Sequence, residues 1–163
     1  MTSPELPKTV AAFGREIGQA MGWPPVAGQV LATLMLTDGA LSLQELGARL
    51  GASAGSISQV TRLLSFSGVI RRVKMPGGRQ VGYEYRQDAW IGCLQHEVSV
   101  DRSLLELADA TVKDEESLPD FARERMVDMS RYYGLLVDTL DAAMPRLHAL
   151  LASTESTEAP AAD

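Results

Sequence analysis

Cysteine is nearly absent from this 163-residue chain. Cys93 stands alone, which excludes an intrachain disulfide and suits a reducing, cytoplasmic setting. Two histidines, His96 and His148, and that one cysteine make no metal-site spacing, so no metal or other cofactor is expected. Aromatic residues amount to 6%, while leucine, alanine and methionine are plentiful, which favours helices over sheets. No apolar run approaches the roughly 18 residues of a membrane span. The first residues offer Pro4, Glu5 and Pro7 where a signal peptide would be basic and then apolar. The expectation is a soluble cytoplasmic protein with no membrane partner. No nucleophile–base pair, carboxylate dyad or phosphate-loop lysine stands out, so an enzyme is not expected.

Net positive charge is missing too, the total being −6. Its layout is uneven. Residues 49–86 hold Arg49, Arg62, Arg71, Arg72, Lys74, Arg79 and Arg86 against Glu84 alone, a local +6, whereas residues 87–163 carry −10. A basic centre between acidic flanks can hold a polyanion locally. A merely solvated basic hairpin has the same composition, so charge alone leaves both readings open.

Along the chain, Val10, Phe13, Ile17 and Met21 recur at helical spacing within residues 5–21 and share one face. Gly22-Trp23-Pro24-Pro25 breaks that helix, and a second runs through Val26, Val30, Leu31, Leu34 and Met35 to a turn at Thr37-Asp38-Gly39. After a short link, Ser42 and Glu45 match a capping box that opens a helix with Leu43, Leu46 and Leu50 inward, stopping at Gly51. Ser53 caps a further helix from Ala54 to about Ser65, with Ile57, Val60, Leu63 and Leu64 buried and Gly68 as the stop. Val69–Met75 and Arg79–Tyr85 read as strands around the turn Pro76-Gly77-Gly78. A helix from about Asp88 to Ala110, an acidic loop ending at Pro119 and a long helix from Asp120 to about Leu151 follow. Residues 153–163, rich in Ser, Thr, Glu, Ala and Pro, read as disordered.

The order helix, tight turn, helix, β-hairpin is that of a mainly α fold with a winged helix-turn-helix. The second helix of such a pair lies in a major groove about 12 Å wide, so its exposed face needs small or hydrogen-bonding side chains. Ser53, Gly55, Ser56, Ser58 and Gln59 meet that need, and Arg62 one turn on reaches a phosphate or a guanine edge. In the hairpin, Arg72, Lys74, Arg79 and Gln80 suit phosphate or minor-groove contact. Double-stranded DNA is the expected partner.

These residues resemble the MarR superfamily of winged-helix regulators. The likeness rests on Leu41-Ser-Leu-Gln-Glu-Leu-Gly-Ala-Arg-Leu-Gly-Ala-Ser-Ala-Gly-Ser-Ile-Ser-Gln, on Leu63-Leu64 and on Gly68-Val-Ile-Arg-Arg-Val. The preceding Met21-Gly-Trp-Pro-Pro-Val-Ala-Gly-Gln-Val is similar to the GbsR-like branch, and the resemblance covers roughly residues 10 to 110. It implies a homodimer on a palindromic operator, acting as a repressor that a small ligand releases. The wing tip departs from the family, whose Gly-Asp-Arg-Arg is replaced by Gly77-Gly78-Arg79-Gln80. The Asp that would orient the arginine is missing.

A homodimer is expected on periodicity as well. Met126, Met129, Tyr133, Leu136, Leu140, Ala143, Leu147 and Leu150 step by alternating threes and fours, an a/d seam interrupted by Pro145, which should kink the helix. Packing within its own domain would give a similar stripe. The resulting expectation is residues 1–25 as a dimerisation helix, 26–87 as the DNA-binding domain and 88–152 as a helical dimerisation region. Phe13, Met21, Trp23, Trp90 and Leu94 are either ordinary core or the lining of a pocket for an apolar effector. Cys93 reads as a structural thiol rather than an oxidation sensor. The competing function from another class is an adaptor that keeps the winged helix but has lost DNA binding.

Overall fold

A computed structural model describes residues 6–76, 80–114 and 118–155. The chain divides into two compact units, residues 1–92 and 93–163. In the first unit α1 (Leu6–Ala20) packs on α2 (Pro25–Met35), the most buried helix of the fold. Two glycines make that approach possible. A Cβ on Gly28 would collide with the carbonyl of Gly14, and one on Gly14 would lie 2.6 Å from the Gln29 side chain and 2.9 Å from its backbone nitrogen. The apolar stripe on α1 therefore borders the contact instead of filling it, and Phe13 and Met21 remain exposed.

α3 (Leu43–Leu50) starts at the capping box read from the sequence. Ser42 Oγ accepts from the Glu45 amide at 3.2 Å, and Glu45 Oε2 accepts from the Ser42 amide at 2.8 Å. Leu46 is fully buried, while Leu43 and Leu50 are half-buried. Gly51 ends the helix at φ 62°, a left-handed conformation that costs glycine nothing. α4 (Ala54–Phe66) follows after Ala52 and Ser53. Its inner side is Ile57, Val60, Leu64 and, unexpectedly, Thr61, whose hydroxyl is satisfied by the Ser58 carbonyl at 3.1 Å. At its end the amides of Gly68 and Val69 donate to Ser65 and Leu64, and Gly68 takes φ 74°. That Schellman arrangement turns the chain straight into the sheet.

The sheet has three strands in the order β1-β3-β2: β1 (Leu41–Ser42), β2 (Ile70–Lys74) and β3 (Val81–Tyr85), all antiparallel. The hairpin was expected; the third strand was read as a link. Leu41 pairs with Tyr83, and Ser42 with Gly82. Ile70, Val69 and Leu41 join α2, α3 and α4 in one core. Helix, turn, helix, then hairpin constitutes a winged helix-turn-helix.

α5 (Ala89–Asp114) begins in the first unit, where its Gly92 lies against the backbone of Gly68, and continues through the second. α6 (Asp120–Glu155) runs four residues beyond the expected end and passes through Pro145 without interruption. Within the second unit the two helices run antiparallel. Arg102 meets Asp141 at 2.7 Å, the Ser130 hydroxyl donates to Asp109 at 2.5 Å, and Arg123 donates to the Val112 carbonyl at 2.6 Å. Val98, Asp101 and Ala108 of α5 and Val137 of α6 are buried in this unit. Residues 156–163 of the expected disordered tail lie outside the described residues. Among the described residues no helix is long and apolar enough to cross a membrane.

Candidate nucleic-acid interface

The candidate residues of α4 divide between exposed and half-buried positions. Ser53 is the N-cap, its Oγ accepting from the Ser56 amide at 3.2 Å, so its hydroxyl is engaged in holding the helix start. Gly55, Gln59 and Arg62 are exposed, and Ser56 and Ser58 are half-buried. Around Gly55 an added Cβ would meet nothing within 4 Å. That glycine is therefore not a packing residue: it leaves the backbone of the helix's first turn bare.

Strand register sorts the basic residues of the wing. Arg71 stands opposite Glu84 and binds it at 2.5 Å. Arg86 makes two bonds to Asp88, Nε to Oδ1 at 2.8 Å and Nη2 to Oδ2 at 2.6 Å. The Arg86 hydrogen bond and charge hold the Asp88 carboxyl below the usual carboxylate range. Burial, with Asp88 nearby, pushes the Tyr85 phenol up. Arg49 donates to the Thr37 hydroxyl at 3.2 Å. Among the described residues Arg62, Arg72 and Lys74 form no ion pair, and all three are exposed. Arg72 and Lys74 alternate with Val73 and so share one face of β2, opposite Tyr83 and Val81. Among the described basic residues of the central segment, Arg71 and Arg86 are thus taken up by carboxylates, Arg49 bonds a hydroxyl, and Arg62, Arg72 and Lys74 stand in no ion pair. Gln80 is exposed at the root of the hairpin turn, where its carbonyl accepts from the Met75 amide at 3.0 Å; Arg79 lies outside the described residues.

The other candidate residues are placed as follows. Phe13, Met21 and Trp90 are exposed in the first unit, and Trp23 is half-buried there; Leu94 is half-buried in the second. Met126, Met129, Tyr133, Leu136, Leu140 and Leu147 are all half-buried in the single chain, beside the Val137 side of α6 that meets α5. Phe121, Tyr132, Leu135 and Leu150 of α6 and Val100 and Leu107 of α5 are exposed. Cys93 is half-buried, and burial first, then Glu97, pushes its thiol up, the reverse of what a reactive thiolate needs. Among the described residues no group of three His, Cys, Asp or Glu side chains could hold a metal.

Two features escaped the sequence reading: Phe66, highly exposed at the end of α4, and the carboxylate partners that withdraw Arg71 and Arg86. The first had a signal, since an aromatic at 66 falls outside the apolar stripe 57, 60, 63, 64. The second depends on register.

No family model matches the sequence, and no curated protein matches it. In three dimensions the chain is similar to a protein whose crystal structure is that of a transcriptional regulator, with a TM-score of 0.79 over 90% of this chain and 99% of that one. The two sequences are 24% identical, and the likeness establishes the fold.

Proposed function

We propose that the chain is a sequence-specific DNA-binding transcriptional regulator that acts as a homodimer on a palindromic operator. One observation carries this reading: among the described residues Arg62 on α4 and Arg72 and Lys74 on β2 are exposed and form no ion pair, while Arg71 and Arg86 are neutralised by carboxylates. Exposed cations supply phosphate affinity, Gln59 and Ser58 on the helix face supply base readout, and Gly55 lets the helix backbone approach the sugar-phosphate chain. The structural neighbour is a transcriptional regulator, and this agrees with the reading. Apolar side chains left exposed on α1, α5 and α6 support self-association, since a lone soluble chain seldom displays so many. The resemblance to MarR-type proteins adds a repressor released by a small apolar effector.

Selection from a pool of random duplexes by the purified protein tests the proposal. Enrichment of an inverted repeat with half-sites about 10 base pairs apart, or a multiple of that, is expected. A pool that stays random after repeated rounds would favour the adaptor function instead.

A further inference from the structure

In the sheet order β1-β3-β2 the strand β2 is an edge, bonded to β3 on one side only. Arg86 donates its amide to the Val69 carbonyl, and Met75 donates its amide to the Gln80 carbonyl, so the odd-numbered residues from 69 to 75 face β3. Arg72 and Lys74, out of step by one, turn amide and carbonyl outward, and among the described residues these groups bond no other group. Both side chains are exposed on one face of the strand and stand in no ion pair there. We propose that this edge docks an extended peptide segment carrying acidic side chains at every second position.

Backbone chemistry and charge select that occupant. A strand edge alternates donors and acceptors, and only another polypeptide backbone answers both, at about 4.8 Å between strands. Phosphates offer acceptors alone and would leave the Arg72 and Lys74 carbonyls facing anions. Side chains of an added strand stand directly opposite their neighbours, so residues two apart meet Arg72 and Lys74, where carboxylates complement them. The residue between them stands opposite the half-buried Val73, where an apolar side chain fits. A second copy's β2 would set Arg71, Arg72 and Lys74 against their own kind, the usual guard on an exposed edge. Docking itself does not depend on DNA binding. Its consequence rests on that reading: peptide and duplex share Arg72 and Lys74, so such a segment antagonises DNA binding.

The probe is a fluorescein-labelled peptide, Glu-Val-Glu-Val-Glu-Val-Glu, titrated by anisotropy against the full chain. A twin with its glutamate amides N-methylated keeps the charge but loses the donors that face β2. The parent should bind at least about tenfold tighter than the twin and slow hydrogen exchange at the Arg72 and Lys74 amides. Arg72→Ala and Lys74→Ala should each weaken the parent about two- to fivefold. Equal binding of parent and twin, or no binding of either, overturns the inference. Unlabelled parent should also release the duplex recovered by random-pool selection, and the twin should not. A duplex that stays bound while both amides are protected overturns the antagonism and leaves docking in place. A pool without enrichment overturns the DNA-binding reading, and the peptide titration stands apart from it.

Discussion

Gly28 and Gly55 both lie inside helices, yet a methyl group has opposite consequences at the two. At Gly28 it would strike the backbone of Gly14, and neither helix can yield without the two separating. Gly28→Ala should cost about 2–3 kcal/mol in urea unfolding, more than alanine's helix preference of about 1 kcal/mol returns. At Gly55 the space is open, so Gly55→Ala should stabilise the fold by about 0.5–1 kcal/mol. The same change should weaken DNA binding, because the methyl would stand between the helix backbone and the sugar-phosphate chain. A stabilised Gly55→Ala protein with undiminished affinity would remove this turn from the groove. Cys93 illustrates a different residue-level point. Its raised thiol holds a proton more tightly folded than unfolded, so its contribution to stability is complete at neutral pH and falls away as pH rises past the ordinary thiol range. Alkylation by iodoacetamide at pH 8 should be slower for native protein than for the urea-unfolded chain; equal rates would contradict the burial argument.

Among the elements, α3 owes its start to Glu45, whose carboxyl is held low by the Ser42 amide, then by the Ser42 hydroxyl. That contribution is present above the ordinary glutamate range and is lost as pH falls through the depressed value. Glu45→Gln should therefore flatten the acid limb of a stability–pH curve, and an unchanged limb would discount the cap. Such caps were legible because they are written within four residues, and the same holds for Ser53, Gly51 and Gly68. The wing hairpin was legible from its turn. β1 was not, because two residues carry no periodicity and their pairing partner lies about forty positions away in sequence. Nor was the docking of α1, since Gly14 and Gly28 act by lacking a side chain. In the candidate site, the apolar stripe of α4 leaves positions 55, 56, 58, 59 and 62 outside on helical spacing; the structure exposes 55, 59 and 62 and half-buries Ser56 and Ser58. The wing was only half legible: composition counts Arg71 and Arg72 alike, and cross-strand register separates them. Arg72→Ala should shallow the salt dependence of DNA binding by about two units, one for each protomer of the dimer, whereas Arg71→Ala should leave it nearly unchanged. The reverse order would exchange the two faces of the hairpin.

For the whole molecule, the proposal joins a cationic reading face in the first unit to self-association through helices that display apolar side chains. Tyr132 and Leu135 are 59% and 69% exposed in the single chain, where the Tyr132 ring meets that of Tyr133 edge-on, centroids 5.1 Å apart. Aspartate at both positions should leave a monomer's fold intact but introduce unpaired charge into a dimer contact, at a cost of roughly 3–5 kcal/mol. Sedimentation should then report half the mass; a dimer of unchanged affinity would place the interface elsewhere. The account depends most directly on phosphate recognition by Arg62, Arg72 and Lys74 in each of two protomers. Binding of the wild type to its selected duplex, followed from low to moderate salt, measures that recognition. With six contacts at roughly −0.9 each, the plot of log affinity against log salt should fall with a slope of about −5. A slope shallower than about −1 would contradict the account, because these cations would then meet no phosphate.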